Sequence, residues 1–231
     1  MHLKANKLKR LGIAFSLPVL LSAGTAQAQW EGSLTFASDY LYNGVSQTDE
    51  KPALQLDIYR YMESGWYVGA FASNIDFGDD NSFEFDIYGG REWALSDELT
   101  FEIGALYYTY QPDDSSYNYA EFTTAVSHGP WRGQIWYAPD YAGTGAGHWI
   151  YGVSYEQALS APLTARVGFH HSSSADTQKL TWGGKRGYDH LFVELTYDLS
   201  PIAFTLGVHY TSLPSAAGGG NTAVAAVSWS F

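Results

Sequence analysis

The last nine residues, Ala223-Val224-Ala225-Ala226-Val227-Ser228-Trp229-Ser230-Phe231 (AVAAVSWSF), decide how the rest of the chain is read. Chain ends are ordinarily polar and loose. This one alternates, with Ala223, Ala225, Val227, Trp229 and Phe231 on one face of an extended segment and Val224, Ala226, Ser228 and Ser230 on the other. Successive side chains of a strand point to opposite sides, so the terminus is expected to be a strand. An apolar strand leaves no open edge only if it pairs with the rest of the molecule.

The same period of two recurs upstream. Leu54, Leu56 and Ile58 alternate with Gln55, Asp57 and Tyr59, and Phe83, Phe85 and Ile87 with Glu84, Asp86 and Tyr88. Leu99 to Tyr108 and Leu163 to His170 repeat the pattern. Between turn signals it defines about twelve segments, near 32–46, 52–62, 65–76, 82–94, 98–111, 118–128, 130–139, 147–158, 162–173, 187–198, 201–212 and 221–231. Most approach the roughly 9 to 11 residues that cross a bilayer as a tilted strand. The connections alternate between tight turns (MESG, LSDE, HGP, LSAP, LSP) and mostly longer polar or Gly-rich stretches such as SSSADTQKLTWGGKRG. Short turns on one side and long loops on the other are the asymmetry of an outer-membrane barrel.

The N-terminus agrees. A basic start with Lys4, Lys7, Lys9 and Arg10, an apolar run broken by Ser16, Pro18 and Ser22, and Ala26-Gln27-Ala28 fit a cleaved signal peptide over residues 1–28. Residues 29–231 would then form the mature domain, with eight basic against twenty-four acidic residues and a net charge near −16. So acidic a surface excludes nucleic acid as a partner. There is no cysteine, so rigidity has to come from the fold and not from disulfides.

A soluble β-sandwich would also alternate its faces. Against it stand the aromatic residues at segment ends: Trp30, Trp66, Trp93, Trp131 and Trp229 at one, and Tyr40, Tyr42, Tyr107, Tyr137 and Trp149 toward the other, as interfacial girdles require. The final strand, ending in Phe231, resembles the C-terminal signal of bacterial outer-membrane barrels that the assembly machinery reads. The expected fold is all-β, a transmembrane antiparallel β-barrel of about twelve strands in the bacterial outer membrane. Its expected partners are outer-membrane lipid and lipopolysaccharide, the barrel-assembly machinery through the C-terminal strand, and small solutes.

Three stretches carry a family resemblance. SDYLYNGVSQTDEKPALQ (Ser38 to Gln55), GAFASNIDF (Gly69 to Phe77) and EFDIYGG (Glu84 to Gly90) resemble the TorF-type putative porin family of proteobacterial outer membranes. The resemblance implies a porin-like barrel. It covers roughly the first quarter of the mature chain, and Tyr42-Asn43-Gly44 departs from it where an aromatic, then Arg, then Gly is expected.

Function has to come from the lumen. With the apolar row toward lipid, Asp39, Asp57, Glu84, Asp86, Glu102, Glu121, Glu156 and Glu194 are expected inside against Arg132 and Arg166, alongside Tyr88, Tyr108 and Trp136. Rings of carboxylates favour cations in a pore, and aromatic faces beside them bind organic cations. The chain is therefore read as a small-solute channel with cation preference and not as an enzyme, with no cofactor and no metal site. A closed barrel filled by its own side chains is the plain alternative. A hydrolase is the other: His171 and Ser173 lie two apart on one face, and Asp189 on the next strand has the same parity, a Ser-His-Asp set near the outer leaflet reminiscent of the outer-membrane phospholipase.

Overall fold

The structure, a computed structural model, describes residues 30–112 and 115–231; the expected signal peptide lies outside them. Its strands are β1 (Trp30–Ala37), β2 (Leu41–Tyr42), β3 (Val45–Ser46), β4 (Ala53–Tyr61), β5 (Trp66–Asn74), β6 (Phe83–Ala94) and β7 (Leu99–Gln111). They continue with β8 (Tyr119–His128), β9 (Trp131–Ala138), β10 (His148–Ser160), β11 (Leu163–Ser174), β12 (Gly187–Asp198), β13 (Ile202–Thr211) and β14 (Gly220–Ser230). All except β2 and β3 join one closed antiparallel barrel in which each strand pairs with its sequence neighbours and β14 returns to β1.

Closure rests on the terminus. Leu34 faces Trp229 and Phe36 faces Val227 across the seam. The backbones of Gly32 and Phe231 exchange both hydrogen bonds, at 2.9 and 3.0 Å. Gly32 admits the Phe231 ring, since a Cβ there would stand 2.7 Å from it.

Alternation places the two rows as expected. Phe83, Phe85 and Ile87, Leu191, Val193 and Leu195, and Phe204, Leu206 and Val208 are all exposed on the outer wall. A continuous apolar band of this kind belongs against hydrocarbon rather than water. Trp30, Trp66, Trp131 and Trp229 stand exposed at the short-turn end. The Arg91 guanidinium lies over the rings of Trp66 and Trp93, at 5.6 and 4.9 Å, a cation–π clasp at the interface level. Turns at that end have two to four residues, while connections at the other have seven to fifteen.

The first strand departs from expectation. It ends at Ala37 and not near residue 46, and residues 38–52 leave the wall. Asn43 and Gly44 both have positive φ, 44° and 77°, and form the turn between β2 and β3. Asn-Gly suits such a tight hairpin because both residues tolerate that backbone region. Tyr40 and Tyr42 are consequently not part of a lipid-facing girdle; they are buried, at 5% and 1% exposure.

Candidate functional site

The hairpin of residues 38–52 turns into the lumen and crosses it. Tyr40 packs against Phe71 of β5, with ring centroids 5.9 Å apart. Asn43 Oδ1 lies 2.7 Å from His170 Nδ1 on β11. In the ring of twelve strands β5 and β11 are diametrically opposed, so this short segment spans the bore. Between these points the Tyr42 hydroxyl donates to Glu121 Oε2 at 3.2 Å, while Tyr108 donates to Oε1 at 2.9 Å. At the tip, a Cβ on Gly44 would stand 2.4 Å from Thr211 Cγ2 and 2.6 Å from His190 Cδ2; only glycine fits so near the wall at that φ.

The neck of this plug is polar. Asp39 Oδ1 accepts from Ser46 at 2.6 Å and lies 2.9 Å from the Thr48 hydroxyl. The Tyr40 N–H donates to Thr48 Oγ1 at 3.2 Å. Burial pushes the Asp39 carboxyl above the usual carboxylate range, against the lowering effect of these hydrogen bonds. Above the plug, Tyr141, His148, Trp182 and Tyr188 pack ring to ring, and Leu180 is buried with them. The long connections thus cover the same end of the lumen.

Of the residues expected inside, Glu84, Asp86, Glu121 and Tyr108 are gathered beside the plug and fully or almost fully buried. Asp39 is buried too, but in the plug's neck and not on a strand. A second group occupies the half nearer the short turns. Arg132 pairs with Glu102 at 2.8 Å, and Tyr67 donates to the same carboxylate at 2.6 Å. Arg166 pairs with Glu194 at 3.5 Å and lies over the Phe192 ring, and Tyr88 donates to Asp57 at 2.8 Å. Trp136 packs against His170 with centroids 5.2 Å apart, beside a small gap bordered by Arg132, Gln134, Gly152 and Arg166. Glu156 stands apart: it is paired in register with Arg166 on the inward row but is exposed at the mouth.

Sequence reasoning missed His190. It joins His170 and His209, with 3.1 Å between His190 Nε2 and His209 Nδ1 and nearly parallel rings at 11°. Its parity with Phe192 and Glu194 was the available signal. On the outer wall, His171 Nδ1 lies 2.7 Å from Asp189 Oδ1. Among the described residues no three His, Cys, Asp or Glu side chains group as a metal centre.

A family model described as "Bacterial protein of unknown function (Gcw_chp)" matches residues 23–209. The chain belongs to this family. No curated protein sequence matches it. Among solved structures it is similar to a KdgM porin, with 10% identity and a TM-score of 0.59 over 87% of this chain and 99% of that one. A KdgM porin in complex with disordered oligogalacturonate gives 10% identity and 0.55, over 87% and 98%. A NanC porin gives 13% and 0.51, again over 87% and 98%. At these identities the likeness establishes the fold, a closed twelve-stranded porin-type barrel.

Proposed function

We propose that this protein is an outer-membrane channel for small solutes that prefers cations and is occluded by its own residues 38–52. The reading rests on the division of charge inside the barrel. Among the described residues, the lumen arginines Arg132 and Arg166 sit in the short-turn half, each already paired with a carboxylate, whereas Glu84, Asp86 and Glu121 line the plugged half with no ion pair. Where these carboxyls are ionised, their field concentrates cations and excludes anions. One KdgM porin structure holds oligogalacturonate; the acidic bore here suits the opposite charge. The apolar outer band, the Trp girdle and the TorF-type resemblance support placement in the outer membrane, with lipid and lipopolysaccharide around the wall and the Phe231 strand as the mark for the assembly machinery.

The test is the zero-current potential of the purified barrel in a planar bilayer under a KCl gradient. A potential of the sign set by K⁺ is expected. A potential set by Cl⁻ would overturn the cation preference, and absence of conductance even after the plug is destabilised would leave a closed barrel.

A second reading is favoured by the 2.7 Å contact between His171 and Asp189. Both are about half exposed on the outward row, flanked by Tyr151 in register with His171 and by Trp149 in register with Ser173. Interfacial aromatics mark the headgroup level, so an oriented histidine with Ser173 two residues along would meet lipid esters there. Fatty-acid release from phospholipid vesicles that Ser173→Ala abolishes would establish this activity. Release at equal rates in both proteins, or none in either, would remove it.

A further inference from the structure

Beside the plug lies a group of buried oxygens whose hydrogen bonding is incomplete. Glu84 and Asp86 are both 0% exposed; the two carboxyls approach each other, Tyr40 approaches Glu84 and the Thr109 backbone approaches Asp86, but none of Glu84 Oε1, Glu84 Oε2, Asp86 Oδ1 and Asp86 Oδ2 reaches full hydrogen-bond geometry. Both side chains are on the inward row of β6, two residues apart, hence stacked on the same face. Tyr110, directly across the ladder from Glu84, is also 0% exposed, and its hydroxyl too is unpartnered. From the plug, Tyr40 faces the pair without closing to hydrogen-bond geometry. Its phenol is pushed well above the ordinary value by burial first and then by the charges of Glu84 and Asp86.

Such an arrangement is costly as it stands. Taking each carboxylate out of water costs several kcal/mol unless an opposite charge or donors compensate. Among the described residues the Lys and Arg ion pairs go to Asp49, Asp76, Glu102 and Glu194, and none reaches this pair. With both carboxyls ionised, the pair is balanced by one dipositive partner. The available donors are all oxygen, four from carboxylates and two from phenols, which selects a hard cation. Six to eight oxygen ligands, bidentate carboxylates included, are what Ca²⁺ takes, while Mg²⁺ keeps several waters; a site this buried leaves little room for them.

We propose that Glu84, Asp86, Tyr110 and Tyr40 form a Ca²⁺-class cation site that ties the inward hairpin to β6. Three ligands belong to the wall and one to the plug, so occupancy favours the plugged state. The site holds whether or not ions traverse the barrel, and its test is separate from the reversal-potential measurement.

The experiment uses the full mature barrel in detergent, stripped with EDTA and titrated with Tb³⁺, whose luminescence nearby tyrosines sensitise. Saturable emission that Ca²⁺ displaces is expected, with affinity reduced at least tenfold in the E84Q/D86N double variant and several-fold in Tyr110→Phe. Emission that persists unchanged in E84Q/D86N would assign the ion to the exposed loop acids and overturn the proposal, as would absence of emission in the wild type. Should E84Q/D86N fail to give a folded barrel, Tyr110→Phe decides, and an unchanged affinity there overturns the site.

Discussion

Replacing Gly44 with alanine should release the plug. Two separate costs fall on the plugged state. At φ of 77° a side chain adds strain of about 1 kcal/mol. The new Cβ would also stand 2.4 Å from Thr211 Cγ2 and 2.6 Å from the His190 ring. His190 has little freedom to give way, because its ring is stacked against His209 and Phe192. Overpacking of this kind costs about 1 to 3 kcal/mol. Together they come to about 2 to 4 kcal/mol, and at about 1.4 kcal/mol per decade the plugged-to-unplugged ratio falls roughly 30- to 700-fold. Single-channel recording in planar bilayers reads this as a rise in open probability. Gly129→Ala is the control: its φ is 55°, but no atom lies within 4 Å of the added Cβ, and it belongs to a turn at the opposite end of the barrel. Equal open probability in wild type and Gly44→Ala, with both folded, would refute the view that residues 38–52 govern the bore.

Three further outcomes follow from the same geometry. Because burial raises the Asp39 pKa, the neck's stability is complete below the ordinary carboxylate range of about 4 and is lost as pH rises through the raised value. Open probability should therefore climb with pH in the wild type and climb less in Asp39→Asn, where the carboxyls facing Tyr40 and Tyr42 still titrate. Arg132→Met leaves Glu102 partly buried and without its 2.8 Å partner, so thermal unfolding in detergent should show a loss of about 1 to 3 kcal/mol, with the zero-current potential moving further toward K⁺. Deleting Phe231 removes both backbone hydrogen bonds to Gly32, and the yield of the heat-modifiable folded band on electrophoresis should fall several-fold.

The wall of the barrel was legible because lipid and lumen each demand one row of every strand, which writes a period of two into the sequence. Strand ends fell within two residues of the observed ones, except the C-terminal end of β1. There the alternation Ser38, Tyr40, Tyr42 continues the pattern of a wall strand while the chain has already turned inward. Buried faces look alike to a periodicity, whether covered by lipid or by the opposite wall. The Asn43-Gly44 pair was the contrary signal, since a spanning strand has no use for two successive positive φ values. The inward acids were readable by parity, but their division was not. That Arg132 and Arg166 serve one half, while Glu84 and Asp86 lie behind the hairpin, depends on register and on contacts between residues far apart in sequence. The His171 and Asp189 contact was also readable, from equal parity on neighbouring strands.

Which row meets hydrocarbon decides whether this barrel spans a membrane, and the absence of cysteine makes that measurable with single spin labels. Cysteines placed at Leu206 and Val208, and at Thr205 and His209 on either side of them, would be labelled in the barrel reconstituted into liposomes. Collision with oxygen should dominate at Leu206 and Val208 and be low at Thr205 and His209. Equal access of a water-soluble nickel chelate to Leu206 and Val208 would contradict the membrane barrel.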